Sequence, residues 1–483
     1  MNTDSTNEEQ HSIKRFNMLS EGTIIALATP SGSGAIGVIR LSGPDAFEIT
    51  KIFFRPKSKK SLEEISVKTS TLGNFTVDEE IIDEVLLTKF NKPHSYTGEN
   101  IVEIACHGSH YIQQKIITSY LDLGIKPAQP GEFTLRAYLN QKMDLSQAEA
   151  VADIIAAESA SAHKLALQQM RGGFSKKMEE LRQELIEFKA LIELELDFSQ
   201  EEVEFANIDR LKSLLNQLYK DISDLKNSFN YGNVLKKGVP VTIAGKPNVG
   251  KSSLLNALFN DEKAIVSNIP GTTRDSIEDT LVLNGILFRF IDTAGLRETQ
   301  DEIESIGIKK TREKVNQASI LIYLYERDYS PSEIAREIKE LHHEELHILI
   351  VENKIDNHNN EFSKPIASKI ASELNQDIDI IQFGISTRNR KNLITLQNLL
   401  VDSVNKMKND TSIVIHNTRH YDALNSALTS INSIQDGLDN GLTGDLLSID
   451  LKEAIHFVGS ITGKIDNVQD ILGAIFSQFC IGK

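Results

Sequence analysis

The chain has 483 residues, 40% apolar and 25% charged; at roughly 150 residues per domain this gives about three domains and excludes disordered, fibrous and low-complexity classes. Its 52 Lys and Arg against 68 Asp and Glu leave a net charge of −16, so any contact with nucleic acid must be local rather than drawn by the overall field. Two cysteines, Cys106 and Cys480, are too few for a disulfide framework or a zinc site and fit a reducing compartment.

Residues 1–22 are polar and lack the apolar stretch of a signal peptide, and no apolar run elsewhere is long enough to cross a bilayer. The expectation is a cytoplasmic protein without a membrane segment. From Thr23 the text TIIALATPSGSGAIGVIRLSG reads as two strands around a Gly/Ser turn, and VLLTKF and NIVEIACHG read as further strands among helical stretches, which predicts an α/β domain over 23–140. Met143 to Ala166 is Ala-rich. Met178, Leu181, Leu185, Phe188, Leu191 and Ile192 then recur at helical spacing, as do Leu211, Leu214, Leu215, Leu218, Ile222 and Leu225, so 141–237 is predicted to be helical. The acidic run DFSQEEVEF between the two series reads as a solvated bend or as a cation-repelling patch, and has no assigned role.

From Val239 β-branched runs (VTIAG, ILFRFIDT, ILIYLY, HILIVEN) alternate with helical segments, the pattern of a parallel sheet covered by helices, over 238–400. Leu424, Ala427, Leu428, Ile431 and Ile434, then Leu447, Leu451, Ala454, Ile455 and Val458, return to helical periodicity over 401–483. Helix on both sides of an α/β unit implies an α/β domain inserted into one helical domain built from two chain segments.

Gly245-Lys-Pro-Asn-Val-Gly250-Lys251-Ser252 lies between a predicted strand and a predicted helix, the setting a P-loop requires. Glycines let backbone N–H groups close around phosphate oxygens, Lys251 brings charge to the β- and γ-phosphates, and the Ser252 hydroxyl suits Mg²⁺. Asp292, Thr293, Ala294 and Gly295 follow a strand; Asp292 is placed for the Mg²⁺ shell and Gly295 for the γ-phosphate. Asn353, Lys354 and Asp356 follow another, where a carboxylate at Asp356 accepts from N1–H and the exocyclic amine of guanine; adenine offers neither. Ser386 and Thr387 close the series at the place for the guanine carbonyl. Asn248, Val249, Gly250, Lys251, Ser252, Ser253, Thr272 and Thr273 complete the expected nucleotide contacts of a Ras-like GTP-binding domain.

Hydrolysis is less legible. Ras-like proteins place a water-orienting Gln after DTAG, whereas this chain has Leu296, so an acid from the following segment must substitute; spacing does not rank Glu298, Asp301, Glu302 and Glu304. Ser267 to Asp275 lies where a Mg²⁺- and γ-phosphate-sensing switch belongs. The Asn248 amide oxygen either coordinates a monovalent cation beside the phosphates or braces the loop by a hydrogen bond.

GKPNVGKS, PGTTRD and DTAGLR, with PGEFTLRAYLNQKMDLSQAEAVADII upstream and the terminal CIGK, closely resemble the MnmE (TrmE) family of tRNA modification GTPases, over nearly the whole chain from Thr23. The resemblance implies an N-terminal α/β domain that dimerises and binds a 5-formyl-tetrahydrofolate-like one-carbon carrier, a discontinuous helical domain and an inserted G domain. It also implies a homodimer, joined in a heterotetramer by an FAD-dependent MnmG-type partner, that installs a carboxymethylaminomethyl-type group at C5 of the tRNA wobble uridine, with GTP hydrolysis dependent on K⁺-assisted G-domain dimerisation. By the same resemblance K⁺ falls to Asn248 and Thr272 with backbone oxygens of Ser267 and Ile269, Mg²⁺ to Ser252 and Thr273, and the catalytic role to Glu304. The carrier site falls to Arg40, Glu103, Lys142 and Lys483.

The plainer alternatives are a surface ion pair for Arg40 and Glu103, a solvated helix charge for Lys142, a frayed-tail residue for Cys480 in place of its family link to modification, and a small buried residue for Cys106. The chain departs from the family in having Ser109 after CHG and Thr387 in the guanine-carbonyl loop. A ribosome-assembly or RNA-binding switch of the Era or Der type predicts a basic, aromatic-studded flank, and no such segment is evident.

Overall fold

The computed structural model describes residues 22–58, 61–198, 208–259, 279–291, 312, 314–343, 346–358, 380–408, 413–440, 442, 444–464, 472, 475–476 and 479–482. It divides into two compact units, the first built from Met1–Ala152, Gln169–Gln183 and Ile455–Lys483, the second from Asp153–Gln168 and Glu184–Ala454.

The first unit contains β1 (Ile24–Leu27), β2 (Ile36–Ser42), α1 (Ala46–Phe53), β3 (Phe54–Pro56), β4 (Thr71–Val77), β5 (Glu80–Phe90), β6 (Ile101–His107), α2 (His110–Leu121), β7 (Lys126–Pro127) and α3 (Glu132–Leu139). Among the described residues its strands form one sheet in the order β3-β4-β5-β6-β2-β1-β7. The pairing is antiparallel except for the β1–β7 pair. Period-2 alternation sends Ile39, Leu41, Val102, Ile104, Val85 and Leu87 into a core with Phe53, Phe75, Ile116 and Tyr120. Phe53 stacks on Phe75 at 5.3 Å and meets Tyr120 edge-on at 5.0 Å, both favoured aromatic geometries.

The opposite sheet face buries Ile24 and Ala26 against Phe133 of α3. Leu135, with Leu145 and Ala148 of α4 (Leu145–Ala156), packs against Leu472, Phe476 and Phe479 near the chain's end. Arg136, 2% exposed, donates to Glu132 at 2.8 Å, to Glu99 at 3.1 Å and to the Gly22 carbonyl at 2.8 Å. A buried guanidinium is tolerated because carboxylates and a carbonyl meet its N–H groups.

The chain continues through α5 (Ala160–Met170), α6 (Gly173–Phe198), α7 (Ile208–Asn227) and α8 (Phe229–Lys237). The periodic stripes are buried largely as expected, but Leu191 and Leu214 are exposed; a stripe that recurs at helical spacing is wider than the strip its neighbours cover.

The second sheet contains β8 (Val239–Ala244), β9 (Asp279–Leu283), β10 (Ile286–Phe290), β11 (Ile320–Tyr325), β12 (His347–Glu352) and β13 (Ile380–Gly384), ordered β13-β12-β11-β8-β10-β9. All neighbours are parallel except the β9–β10 hairpin, which turns at Asn284-Gly285 with φ of 48° and 81°. Those angles are what a two-residue hairpin turn needs. Helices α9 (Lys251–Phe259), α10 (Pro331–Leu341) and α11 (Leu393–Lys406) contribute Leu254, Ile334 and Leu396 to the two cores flanking this sheet. β11 is buried along its whole length, as a parallel strand covered on both faces must be. Beyond it α12 (Thr418–Asp439), capped by the Asn417 side chain accepting from the Arg419 N–H, lies against α7, and α13 (Gly444–Thr462) follows. The fold class is therefore α/β plus all-α, with a P-loop sheet domain between helical segments.

Candidate functional site

The nucleotide-binding motifs lie at the carboxyl ends of the parallel strands, where open α/β sheets bind ligands. β8 runs into the loop 245–250 and α9 begins at Lys251. Gly245 has φ 138° and Gly250 φ 96°, and a Cβ at either would collide, with the Leu324 carbonyl and with Asn353 Nδ2 respectively. Only glycine satisfies both demands. Lys251 Nζ donates to the carbonyls of Gly245 and Lys246 at 2.7 and 2.8 Å, and burial pushes its ammonium below the ordinary lysine value.

Residues after β12 brace this loop. Asn353, buried, donates to the Val249 carbonyl at 2.8 Å and accepts from the Thr387 N–H at 3.2 Å, which joins the P-loop to the loop after β13. Lys354 Nζ spans from the Asn248 carbonyl at 2.8 Å to Glu326 at 2.7 Å. Ser386 Oγ donates to Asp356 Oδ1 at 2.7 Å, and Ile355 N–H donates to the Ile385 carbonyl at 3.3 Å, so the carboxylate is aimed by a neighbouring loop. Beneath them Glu352, fully buried, is paired with Arg327 at 3.1 Å.

Asn248 sits at φ 63° with an exposed side chain. Among the described residues no hydrogen bond is formed by its amide. Ser252 and Ser253 follow Lys251 in the first turn of α9. Ser267, Ile269, Thr272, Thr273, Asp292, Thr293, Ala294, Gly295 and Glu304 lie outside the described residues, as does Lys483. Thus Asn248, Val249, Gly250, Lys251, Asn353, Lys354, Asp356, Ser386 and Thr387 are brought together around one loop.

In the first unit Arg40 and Glu103 are register partners on β2 and β6, joined at 2.8 Å and both partly exposed. The Arg40 guanidinium lies 5.6 Å from the ring centres of Tyr96 and Phe133, within cation–π range. Its Nη1 also reaches the Gly482 carbonyl at 3.5 Å, and Gly131 N–H donates to the Cys480 carbonyl at 3.4 Å. The terminal segment therefore closes onto the sheet rather than fraying, with Cys480 itself exposed. Lys142 stands in the turn between α3 and α4, not on a helix, with Nζ donating to the Pro93 carbonyl at 3.0 Å. Glu103 Oε2 is without a hydrogen-bond partner among the described residues. A carboxylate, a guanidinium within cation–π range of two aromatic rings and an exposed ammonium can pair with a polar heterocycle edge and with an anion. Cys106 is buried, and burial pushes its thiol up to about 11, which makes it unreactive.

Tyr96 and Phe133 beside Arg40 were not singled out by sequence reasoning, nor was the partner Glu326 of Lys354. Lys354 lies inside the motif NKID, so the signal was present, whereas nothing local to Tyr96 ties it to Arg40.

A family model for the MnmE helical domain matches residues 145–480, more than half of the chain, and a second, for the GTP-binding protein TrmE N-terminus, matches residues 23–142. The chain belongs to the MnmE (TrmE) family. A Christiangramia forsetii protein named tRNA modification GTPase MnmE is 50% identical over 472 residues, covering 95% of this chain and 99% of the relative. Relatives of the same name from Flavobacterium johnsoniae and Bacteroides thetaiotaomicron are 49% and 48% identical, each covering 96% of this chain and 100% of the relative. Among solved structures, the G domain of the T. maritima FeoB iron transporter aligns with 34% of this chain and 98% of its own, at 24% identity and a TM-score of 0.24. No described helix is long and apolar enough to cross a membrane.

Proposed function

We propose that the chain is a GTP hydrolase that takes part in tRNA modification. The observation that carries this reading is the Asn353 side chain, which ties the P-loop at Val249 to the loop bearing Thr387, while Ser386 aims the Asp356 carboxylate. In this reading that arrangement sets guanine-selective acceptors at a fixed offset from the phosphate loop, with Lys251, partly buried, ready to exchange carbonyl partners for phosphate oxygens.

In this reading Ser252 and Thr273 hold Mg²⁺, with Asp292 behind it. Asn248 and Thr272, with the carbonyls of Ser267 and Ile269, hold K⁺. When bound, these ions supply positive charge at the phosphates where other GTPases use an arginine. Glu304 orients the attacking water in place of the Gln that Leu296 displaces, and two chains bring their nucleotide-binding domains together for hydrolysis. Arg40, Glu103, Lys142 and Lys483 hold a 5-formyl-tetrahydrofolate-like carrier, which supplies one carbon. With an FAD-dependent partner of the MnmG type, in a heterotetramer, the homodimer adds a carboxymethylaminomethyl-type group at C5 of the tRNA wobble uridine. Cys480 is exposed, with its carbonyl held by the Gly131 N–H, two residues before the Gly482 carbonyl that Arg40 reaches.

The test is GTP turnover by the purified chain in K⁺ and in Na⁺, with Glu304→Ala alongside. The reading predicts much faster turnover in K⁺ and a Glu304→Ala variant that binds GTP but does not cleave it. Equal rates in the two salts remove the cation site, and a fully active Glu304→Ala removes the assigned residue.

A further inference from the structure

Two chain crossings connect the P-loop sheet domain to the helices around it, and both converge on one carboxylate. On the way in, α8 ends at Lys237 and β8 begins at Val239, so only Gly238 separates the entering helix from the strand that feeds the P-loop. On the way out, residues 413–417 lead from the sheet domain into α12. Asp153 of α4 accepts from Lys236 Nζ of the entering helix at 2.8 Å through Oδ1, and from His416 Nε2 of the returning segment at 2.8 Å through Oδ2. Each carboxylate oxygen is thus taken by a different crossing.

The crossings are also fastened to each other. The Ile415 N–H donates to Ser228 Oγ at 3.0 Å, and that hydroxyl donates to the Leu225 carbonyl at 2.6 Å. A Cβ on Gly232 of α8 would collide with the Ile415 carbonyl, so the entering helix and the returning segment lie in direct backbone contact. The chain a few residues past Asp153 makes one more contact with the sheet domain. Ser161 N–H donates to the carbonyl of Gly285, the hairpin turn between β9 and β10, at 3.0 Å. β10 in turn runs toward Asp292.

The chemistry of the cluster is more costly than packing requires. His416 is 3% exposed and its Nδ1 has no hydrogen-bond partner among the described residues, an unsatisfied buried ring nitrogen that an apolar side chain would avoid. Burial pushes the Asp153 carboxyl up, but the hydrogen bond from His416 and the charge of Lys236 outweigh it and hold the group below its ordinary value. The group therefore stays ionised and accepts from both crossings at once, which a neutral amide cannot do without presenting a donor to one of them.

We propose that Asp153 is a positioning residue that couples nucleotide turnover to the modification reaction, by fixing helix α4 to both crossings of the nucleotide-binding domain. The proposal rests on the reading of the chain as a GTP hydrolase of tRNA modification and names the part that transmits the nucleotide state. Displacement of β8 and the P-loop reaches α4 through Lys236, displacement of the returning segment reaches it through His416, and movement of the β9–β10 turn reaches the adjoining chain through Ser161. α4 itself continues toward its N-terminus into Leu145–Ala152, which belongs to the first unit.

The experiment compares wild type, Asp153→Asn and Lys236→Met as full chains. GTP turnover is measured on the purified proteins, and the wobble-uridine modification is measured by nucleoside analysis of tRNA from cells whose only copy of the gene is the variant, at equal protein level. Coupling predicts GTP turnover within about twofold of wild type but modification reduced by about fivefold or more for Asp153→Asn, the lower end of typical coupling effects. A smaller loss is expected for Lys236→Met, which keeps the His416 bond. The readout is the ratio of modification to turnover, which a merely structural role does not move. Modification equal to wild type in both variants overturns the proposal, as does a fall in turnover and modification by the same factor. If Asp153→Asn does not accumulate as folded protein, Lys236→Met, altered at a partly exposed side chain, decides alone by the same ratio. A wild-type gene that fails to restore the modification refutes the proposed function and the coupling together, whereas wild-type restoration with unaltered variants refutes the coupling only.

Discussion

Replacing Asp356 by Asn isolates the guanine-recognition claim, because the exchange keeps the side chain's shape. Ser386 Oγ donates to Asp356 Oδ1 at 2.7 Å, and an asparagine oxygen accepts the same bond, so the loop after β12 stays where it is. What changes is the face toward the base. The carboxylate accepts from guanine N1–H and from the exocyclic amine, and hydrogen bonds to a charged group are worth about 1.5–3 kcal/mol each. Asparagine presents one acceptor and one donor, so the second bond becomes a donor–donor clash. The combined loss is about 3–5 kcal/mol, or roughly 150- to 4,000-fold in affinity. Xanthine carries a carbonyl where guanine carries that amine, so the asparagine donor is matched again and XDP binding rises as GDP binding falls. Calorimetric titration of both proteins with GDP and XDP reads the exchange directly. An Asp356→Asn variant that binds GDP within about threefold of wild type, with no gain for XDP, refutes the placement of guanine at this carboxylate.

Three further outcomes follow from the geometry. Arg40→Ala combined with Lys142→Ala is expected to weaken 5-formyl-tetrahydrofolate binding by about tenfold or more, and an unchanged Kd removes the carrier site. Arg136→Met leaves the buried Glu132 carboxylate beside Glu99 with no cation to pair with, only the Gln129 N–H at 2.8 Å, at a cost of about 3–5 kcal/mol read as a lower urea midpoint by circular dichroism; a loss under about 1 kcal/mol contradicts the view that this network is held by the guanidinium. Burial lowers the Lys251 ammonium in the free protein and a bound triphosphate raises it, so binding takes up a proton in a window that begins below the ordinary lysine value of 10.5. Nucleotide affinity therefore falls as pH rises through the free-protein value, and a Lys251→Arg variant, charged throughout, lacks that part of the pH dependence. Identical profiles for the two proteins contradict the assignment.

Much of the fold was legible because its signals are local. Val239–Ala244, Ile320–Tyr325 and His347–Glu352 are short apolar runs bounded by turn residues, and they became the buried parallel strands of the second sheet. The P-loop was legible because its glycines, lysine and serine must stand at fixed spacing to surround a phosphate. Leu191 and Leu214 misled because periodicity reports a helix face, not how much of that face a neighbour covers. What stayed hidden depends on residues far apart in the chain. Arg40 and Gly482 are separated by 442 positions, and Asp153 and His416 by 263, so no window of sequence contains either pair. Glu352 and Arg136 read as surface charges by residue type, yet both are buried against partners that only the folded chain supplies.

If GTP cleavage by this chain serves the modification of tRNA, the nucleosides of cellular tRNA must report it. Cells lacking the gene should lose the carboxymethylaminomethyl-type wobble uridine, regain it with the wild-type gene, and fail to regain it with Lys251→Ala. TRNA that keeps the full modification without the gene, or with only the Lys251→Ala copy, contradicts the account.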